Sequence, residues 1–192
     1  MSALDRRNAV SKLVANRRNL LVVAGLGSTA YDLFAAGDHP ANFYLWGAMG
    51  GAAMIGLGLA LAQPRRPVLV TTGDGEQLMG LGSFATIGAQ RPPNFNLAVI
   101  DNERYGETGM QRSHTALGTD LVAVAKACGF SAAQEIESEA ELDGFAAQAH
   151  RMAAPAFALI KVAPLNPPRV LPPRDGVYLK NRFRQTLGLD VN

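Results

Sequence analysis

Short, unbroken apolar runs alternate along the chain with longer stretches of helical periodicity. Leu20 to Ala24, Pro67 to Thr72, Phe95 to Ile100 and Ala156 to Val162 have the length of strands, and Phe43 to Leu45 is a briefer run of the same kind. None alternates polar with apolar residues, which is the pattern of strands buried on both faces. The intervening stretches predict helices. Asp5 can cap one running to about Arg18, and others span about Thr29 to Ala36, Gly50 to Ala62 and Gly75 to about Gln90. Thr119 or Asp120 can cap a helix reaching Cys128. Ser138-x-x-Glu141 has the form of a capping box and opens a helix to Met152. Prolines keep Pro164 to Pro173 extended or looped. Strands alternating with helices predict an α/β fold: a doubly wound, mostly parallel sheet with helices on both faces.

In such sheets ligands bind beyond the carboxyl ends of the strands. Three of the predicted strand ends carry unusual residues: Gly25 to Thr29, Gly73-Asp74-Gly75 and Asp101-Asn102. The topology gathers them on one rim.

Composition narrows the reading. At 192 residues the expectation is a single domain over 1–192. A hydrophobic share of 48% and a charged share of 18% exclude a disordered or fibrous chain. A net charge of +2 gives a nucleic-acid partner no electrostatic support. The lone Cys128 excludes an internal disulfide framework or a multi-cysteine metal site and reads as a small core residue. A polar N-terminus without an apolar signal segment predicts a cytoplasmic protein. The most apolar stretch, Trp46 to Ala62, carries five glycines and stops at Pro64, short of the ~20 apolar residues a membrane span needs, so a buried helix is expected. The acidic series Glu135, Glu137, Glu139, Glu141 and Asp143 straddles a strand end and a helix start. Its carboxylates are therefore expected to be a solvated helix entry rather than a metal site.

The glycines of Gly73-Asp74-Gly75 let the backbone turn sharply and approach a ligand, and the following helix offers unpaired amides to a phosphate. Asp74 would repel a phosphate alone. A divalent cation between carboxylate and phosphate resolves that conflict, since Mg²⁺ takes one or two carboxylates plus phosphate oxygens and water. Asn102, at the end of another strand, can add a neutral carbonyl oxygen.

Gly73-Asp74-Gly75, followed after 25 residues by Asp101-Asn102, resembles the cofactor signature of thiamine diphosphate enzymes. Trp46-Gly47-Ala48-Met49-Gly50 is similar to the segment that holds the two rings of the cofactor in that family. Tyr105-Gly106-Glu107-Thr108-Gly109-Met110-Gln111 resembles the continuation found in sulfopyruvate and phosphonopyruvate decarboxylases. The likeness runs from about Gly25 to Arg184.

The resemblance implies that Asp74 and Asn102 bind Mg²⁺ by side chain and Arg104 by its backbone carbonyl. It implies that amides near Gly73, Gly75 and Glu76, with Ser28 and Thr29, hold the diphosphate of thiamine diphosphate, and that Tyr105 lies beside it. The Gly47 carbonyl would accept from the 4′-amino group, and Met49 would wedge the rings into a V. Asp101 departs from the commoner asparagine, so its charge must be paired or turned away. In the family a glutamate on a pyrimidine-binding domain starts cofactor ionisation, and no glutamate here has a matching context. The resemblance therefore implies a partner, an alpha subunit carrying that domain, in a hetero-oligomer with paired active sites. The implied activity is decarboxylation of a small 2-oxo acid, of sulfopyruvate or phosphonopyruvate type, or another carbon–carbon lyase or ligase reaction of the same cofactor. Arg104, Arg112, His114, Arg182 and Arg184 are the cations available to an anionic substrate, and His114 is also a candidate proton relay. A rival reading takes Gly25-Leu26-Gly27-Ser28-Thr29-Ala30 as the turn of a nicotinamide-dependent oxidoreductase. That reading wants an acid at the end of the next strand, where the chain has Phe43-Tyr44-Leu45-Trp46.

Overall fold

The structure is a computed structural model and describes residues 3–153 and 155–190. Its strands are β1 (Leu21–Ala24), β2 (Asn42–Tyr44), β3 (Val68–Gly73), β4 (Phe95–Asp101), β5 (Arg104–Tyr105), β6 (Gln111–Arg112), β7 (Ala132–Ile136) and β8 (Ala156–Lys161). Its helices are α1 (Arg6–Val14), α2 (Ser28–Ala35), α3 (Ala52–Ala62), α4 (Asp74–Met79), α5 (Ser83–Gln90), α6 (Leu121–Ala127), α7 (Glu139–Gln148) and α8 (Gly176–Thr186). Six strands form one parallel sheet in the order β2-β1-β3-β4-β8-β7, while β5 and β6 make a small antiparallel hairpin.

Strand periodicity divides the core in two. Val22, Ala24, Leu69, Ala98, Ile100 and Ile160 face one side, where α1, α2 and α7 cover them with Val10, Leu13, Leu33 and Phe145. Val23, Val70, Leu97, Val99 and Phe157 face the other, under α3, α5 and α6. Phe84 of α5 meets the Phe157 and Phe130 rings edge-on at 5.2 and 5.6 Å. Because β1 leads outward to β2 and then back past itself to β3, the switch in winding direction lies between β1 and β3. Gly25 and Gly73 stand at the carboxyl ends of that pair.

The predicted caps are present: the Asp5 and Asp120 side chains accept from amides of their first helical turns, and Ser138 with Glu141 closes a complete capping box, while Asp175 adds an unforeseen cap to α8. Four features differ from expectation. First, α1 stops at Val14, because Arg18 takes a left-handed turn within the polar Asn16–Asn19 run. Second, the helix expected to run unbroken to Gln90 is divided at Gly80-Leu81-Gly82, where the Gly50 carbonyl lies 2.3 Å from where a Gly80 side chain would begin. Third, α8 appears where no helix was expected, while the strand end read into the acidic series is that of β7, a half-exposed edge strand with Gln134 and Glu135 outward. Fourth, Cys128 is half-buried beside the core rather than within it. Of the acidic series, Glu139 and Asp143 hold Lys12 at 2.6 and 2.9 Å, while Glu141 serves its own helix. Among the described residues no helix is long and apolar enough to cross a membrane.

Two glycine substitutions test this packing. A side chain at Gly88 would begin 1.7 Å from the Cys128 carbonyl, whereas Gly144 in α7 has open space around it. Gly88→Ala is expected to destabilise the chain by about 1–3 kcal/mol, and Gly144→Ala to stabilise it by about 0.5–1 kcal/mol, both read from thermal or denaturant melts.

Candidate functional site

A cavity of about 210 Å³ opens at the switch point. Leu26, Ser28 and Thr29 reach it from the β1–α2 turn, Gly73 to Glu76 from the end of β3, and Ile100 and Asn102 from the end of β4. Arg104 to Thr108 close it from the hairpin, Met49 from the segment before α3, and Arg6 from the start of α1. A wider groove of about 500 Å³ adjoins it across Met49, Gly75 and Tyr105, with Leu78, Met79, Leu81, His114 and Thr119 as its other walls.

Asp74 is 2% exposed. Burial pushes its carboxyl up to about 6, the Ser113 hydroxyl opposes that by hydrogen bonding, and the neighbouring Asp101 charge adds to it. The Thr115 hydroxyl lies between the two carboxylates, 2.8 Å from Asp101 and 3.4 Å from Asp74. Asp101 is compensated: Lys161 sits 2.9 Å from one oxygen, and the Glu103 amide donates to the other at 2.9 Å. Lys161 also holds Glu103 at 2.5 Å, and that bond lowers the Glu103 carboxyl below its ordinary range. The departure at Asp101 thus adds no free charge to the cavity, and Asp74 and Glu76 are the lining carboxylates for which no ion pair is seen among the described residues.

Backbone geometry shapes the rest. Asn102 is buried, and its Oδ1 accepts from the Arg104 amide at 3.0 Å, tightening the turn into the hairpin. Gly75 is required: a side chain there would begin 2.5 Å from the Tyr105 ring. The Tyr105 hydroxyl in turn meets His114 Nδ1 at 3.0 Å. Thr29 donates to the Gly25 carbonyl at 3.0 Å, pinning the first turn of α2. Ala48 and Glu103 have positive φ without being glycine, and each flanks residues of the site. Glu76 accepts from Thr72 at 2.8 Å, and the amides of Gly50, Leu26 and Ala52 face it; its Oε1 is buried with no hydrogen-bond partner. Burial raises its carboxyl as well. A side chain at Gly25 would begin 1.9 Å from Glu76 Oε2, so that glycine makes room for the carboxylate.

The structure brings Ser28, Thr29, Met49, Gly73, Asp74, Gly75, Glu76, Asn102, Arg104 and Tyr105 to one cavity. Gly47 is exposed and does not line it, and His114 reaches it only through Tyr105. Arg182 and Arg184 do not line it: Arg182 pairs with Asp38 at 2.6 Å, and Arg184 donates to the Asp190 carbonyl. Arg6, Ser113 and Thr115 belong to the site and were not expected there. Thr115 and Ser113 sit just past the hairpin, in a segment whose sequence reads as plain loop. Residues 164–175 run extended along the rim, as the prolines predict. Arg169 of that segment pairs with Glu107 at 2.8 Å, and Trp46 donates to the Pro173 carbonyl at 2.8 Å.

The donor set suits a hard cation beside an anion. A buried carboxylate without a counter-charge, the amide oxygen of Asn102 and the carbonyl of Arg104 are oxygen ligands of the kind Mg²⁺ takes. Amides at the starts of α2 and α4 face the same space.

Residues 25–162 match the family described as thiamine pyrophosphate enzyme, C-terminal TPP binding domain. The chain is 43% identical over 125 residues to the sulfopyruvate decarboxylase subunit beta of Methanocaldococcus jannaschii, covering 65% of this chain and 66% of that one. It is 39% identical over 182 residues to the phosphonopyruvate decarboxylase of Streptomyces viridochromogenes, covering 92% of this chain and 44% of that one. The match thus spans less than two thirds of either relative. Benzoylformate decarboxylase from Polynucleobacter necessarius shares the fold, with a TM-score of 0.70 at 20% identity over 86% of this chain and 34% of that one.

Asp74 makes stability depend on pH in a stated direction. Its carboxyl titrates near 6 in the folded chain against an ordinary value of 3.8, so between those values the native state holds a proton that the unfolded chain has released. Stability of the metal-free chain therefore falls as pH rises from about 4 through about 6. Asp74→Asn is expected to flatten that slope and raise the thermal midpoint near neutral pH, by roughly 2–4 °C for each kcal/mol relieved. Melts of both proteins across pH 4–8 check it.

Proposed function

The chain belongs to the thiamine pyrophosphate enzymes, and we propose that it is the diphosphate-binding subunit of a thiamine diphosphate- and Mg²⁺-dependent 2-oxo acid decarboxylase. The observation that carries this reading is the convergence of Asp74, Asn102 and Arg104 with the α2 and α4 amides on one cavity beneath Met49. In this reading Asp74, the Asn102 amide oxygen and the Arg104 carbonyl hold the metal. The amides of Gly75 and Glu76, with Ser28 and Thr29, hold the diphosphate, and the Gly47 carbonyl orients the aminopyrimidine. Met49 is 43% exposed at the junction of the two cavities, where a flexible apolar side chain can press between two rings.

When bound, thiamine diphosphate supplies the electron sink for loss of carbon dioxide from the 2-oxo acid. This chain's residues supply the setting. Lys161 keeps Asp101 from adding charge beside the metal, the strap at 164–175 covers the rim, and the Tyr105–His114 pair offers a proton at the edge of the wider groove. Arg104 in the cavity wall and His114 in the wider groove are the expected cations placed to meet an anionic substrate tail. Sulfopyruvate and phosphonopyruvate are the candidate substrates, because relatives named for their decarboxylation are 43% and 39% identical to this chain over the aligned residues.

An alpha subunit carrying the pyrimidine-binding domain completes the site. The exposed apolar side chains Met54, Ile55 and Leu61 on α3, and Met79 at the end of α4, are surface suited to such a partner. Pairing of such units gives a hetero-oligomer with paired sites. The protein is expected to work in the cytoplasm.

Two outcomes follow. The purified chain alone is expected to bind thiamine diphosphate poorly and to release no carbon dioxide from 2-oxo acids, with both gained on adding the partner subunit; tight binding with turnover by the chain alone refutes the reading. In the assembled complex Asp74→Ala is expected to abolish Mg²⁺-dependent decarboxylation, measured as carbon dioxide release against a panel of 2-oxo acids.

A further inference from the structure

Arg6 opens α1, yet it is 5% exposed and its side chain forms part of the wall of the cavity. Its Nε lies 2.5 Å from Oδ2 of Asp32 on α2, and Asp32 is fully buried. Arg7 lies 3.3 Å from the other oxygen of the same carboxylate. Two guanidinium groups therefore share one negative charge, and the cluster keeps a net positive charge. A buried cation without full compensation is costly, and its cost falls when an anion is bound beside it.

Arg6 also reaches the Leu165 carbonyl at 3.5 Å through one terminal nitrogen, and the other charged side chains of the wall pair with neighbours or are acids. Glu107 pairs with Arg169, Arg104 donates to the neighbouring Glu103 carbonyl, and Asp74 and Glu76 are acids. Arg7 turns outward to the Pro168 carbonyl at 2.8 Å. Arg6 is thus the guanidinium that faces the cavity from the α1 side, next to the first turn of α2. Gly27, the N-cap of that helix, provides no side-chain cap, so the α2 amides are left for a ligand. The oxygen ligands for a cation come from the ends of β3 and β4 instead. A diphosphate would fit this division, since it carries enough negative charge for both a cation and a guanidinium, most of it on its unesterified end.

Resting on the cofactor reading above, we infer that Arg6 binds the terminal phosphate of the diphosphate, with the first α2 amides beside it. Its planar fork suits phosphate oxygens better than a point charge does. Arg6 lies outside the matched family segment at 25–162. The neighbouring Asp32 is then a positioning residue that fixes the guanidinium rather than a ligand.

The test uses the complex of this chain with its partner subunit. Calorimetric titration with thiamine diphosphate and with thiamine monophosphate, both in Mg²⁺, gives the ratio of the two affinities. Arg6→Gln is expected to reduce that ratio at least tenfold, Arg6→Lys to reduce it less, and Arg7→Gln to leave it unchanged. Arg6→Gln combined with Asp32→Asn removes both charges, so the ratio can be read without stranding a buried carboxylate. An unchanged ratio in a folded Arg6→Gln complex overturns the inference and makes Arg6 a clamp between α1 and α2. An unchanged ratio with a raised KM for the 2-oxo acid also overturns it, and assigns the guanidinium to the anionic substrate instead. A wild-type complex without affinity for thiamine diphosphate overturns the cofactor reading itself, and the inference with it.

Discussion

Asp74 follows one strand and Asp101 ends the next in a sheet buried on both faces, close enough that the Asp101 charge raises the cost of charging Asp74. Lys161 settles Asp101, and nothing among the described residues settles Asp74 to the same degree. A buried carboxylate in that condition either keeps its proton or waits for a cation. Much of the rim follows from that choice. The hairpin of β5 and β6 brings Ser113 and Thr115 back over the pair, Tyr105 seals the side against Gly75, and the Lys161–Glu103 bond holds the turn after β4. The fold puts strain where the site needs it, with left-handed backbone at Ala48 and Glu103, and spends well-packed helices elsewhere to hold it.

The α1–α2 side of the cavity shows the same economy with opposite sign. Asp32 anchors both Arg6 and Arg7, and those two side chains also reach the carbonyls of Leu165 and Pro168 in the strap. One buried carboxylate thus ties the N-terminal helix, the first crossover helix and the C-terminal segment into a single wall. The positive wall and the negative floor face the same small volume. A ligand with both an anionic group and a bound cation answers both at once.

Much of this was legible in the order of residues. The double burial of β1, β3, β4 and β8 follows from their unbroken apolar runs, and once the sheet is parallel the rim residues must converge. Asp74, Asn102 and Tyr105 were legible because they sit at strand ends or in a motif. Arg6 was not: it lies on a helix whose exposed-looking Arg-Arg pair is ordinary at a helix start, and only the packing of α1 against α2 carries it inward. The break at Gly80 was hidden for a related reason, since the Gly50 carbonyl that forces it comes from thirty residues upstream. α8 escaped notice because a largely polar helix leaves a weak pattern, and β7, a half-exposed edge strand, was legible only by its end in the acidic series. Local signals name the strands and caps, while long-range contacts decide which polar side chains turn toward the cavity.

The two margins of the sheet are treated differently from its faces. At β2, Arg182 of α8 donates to the Asn42 carbonyl at 3.2 Å, so an open ladder position is already occupied by a side chain. At β7 the outward residues include Gln134 and Glu135, and Glu137 follows at its end, which discourages an incoming strand. Strand addition is therefore disfavoured at both described margins of the sheet, which directs association toward the helix faces and the carboxyl rim and away from stacked ribbons.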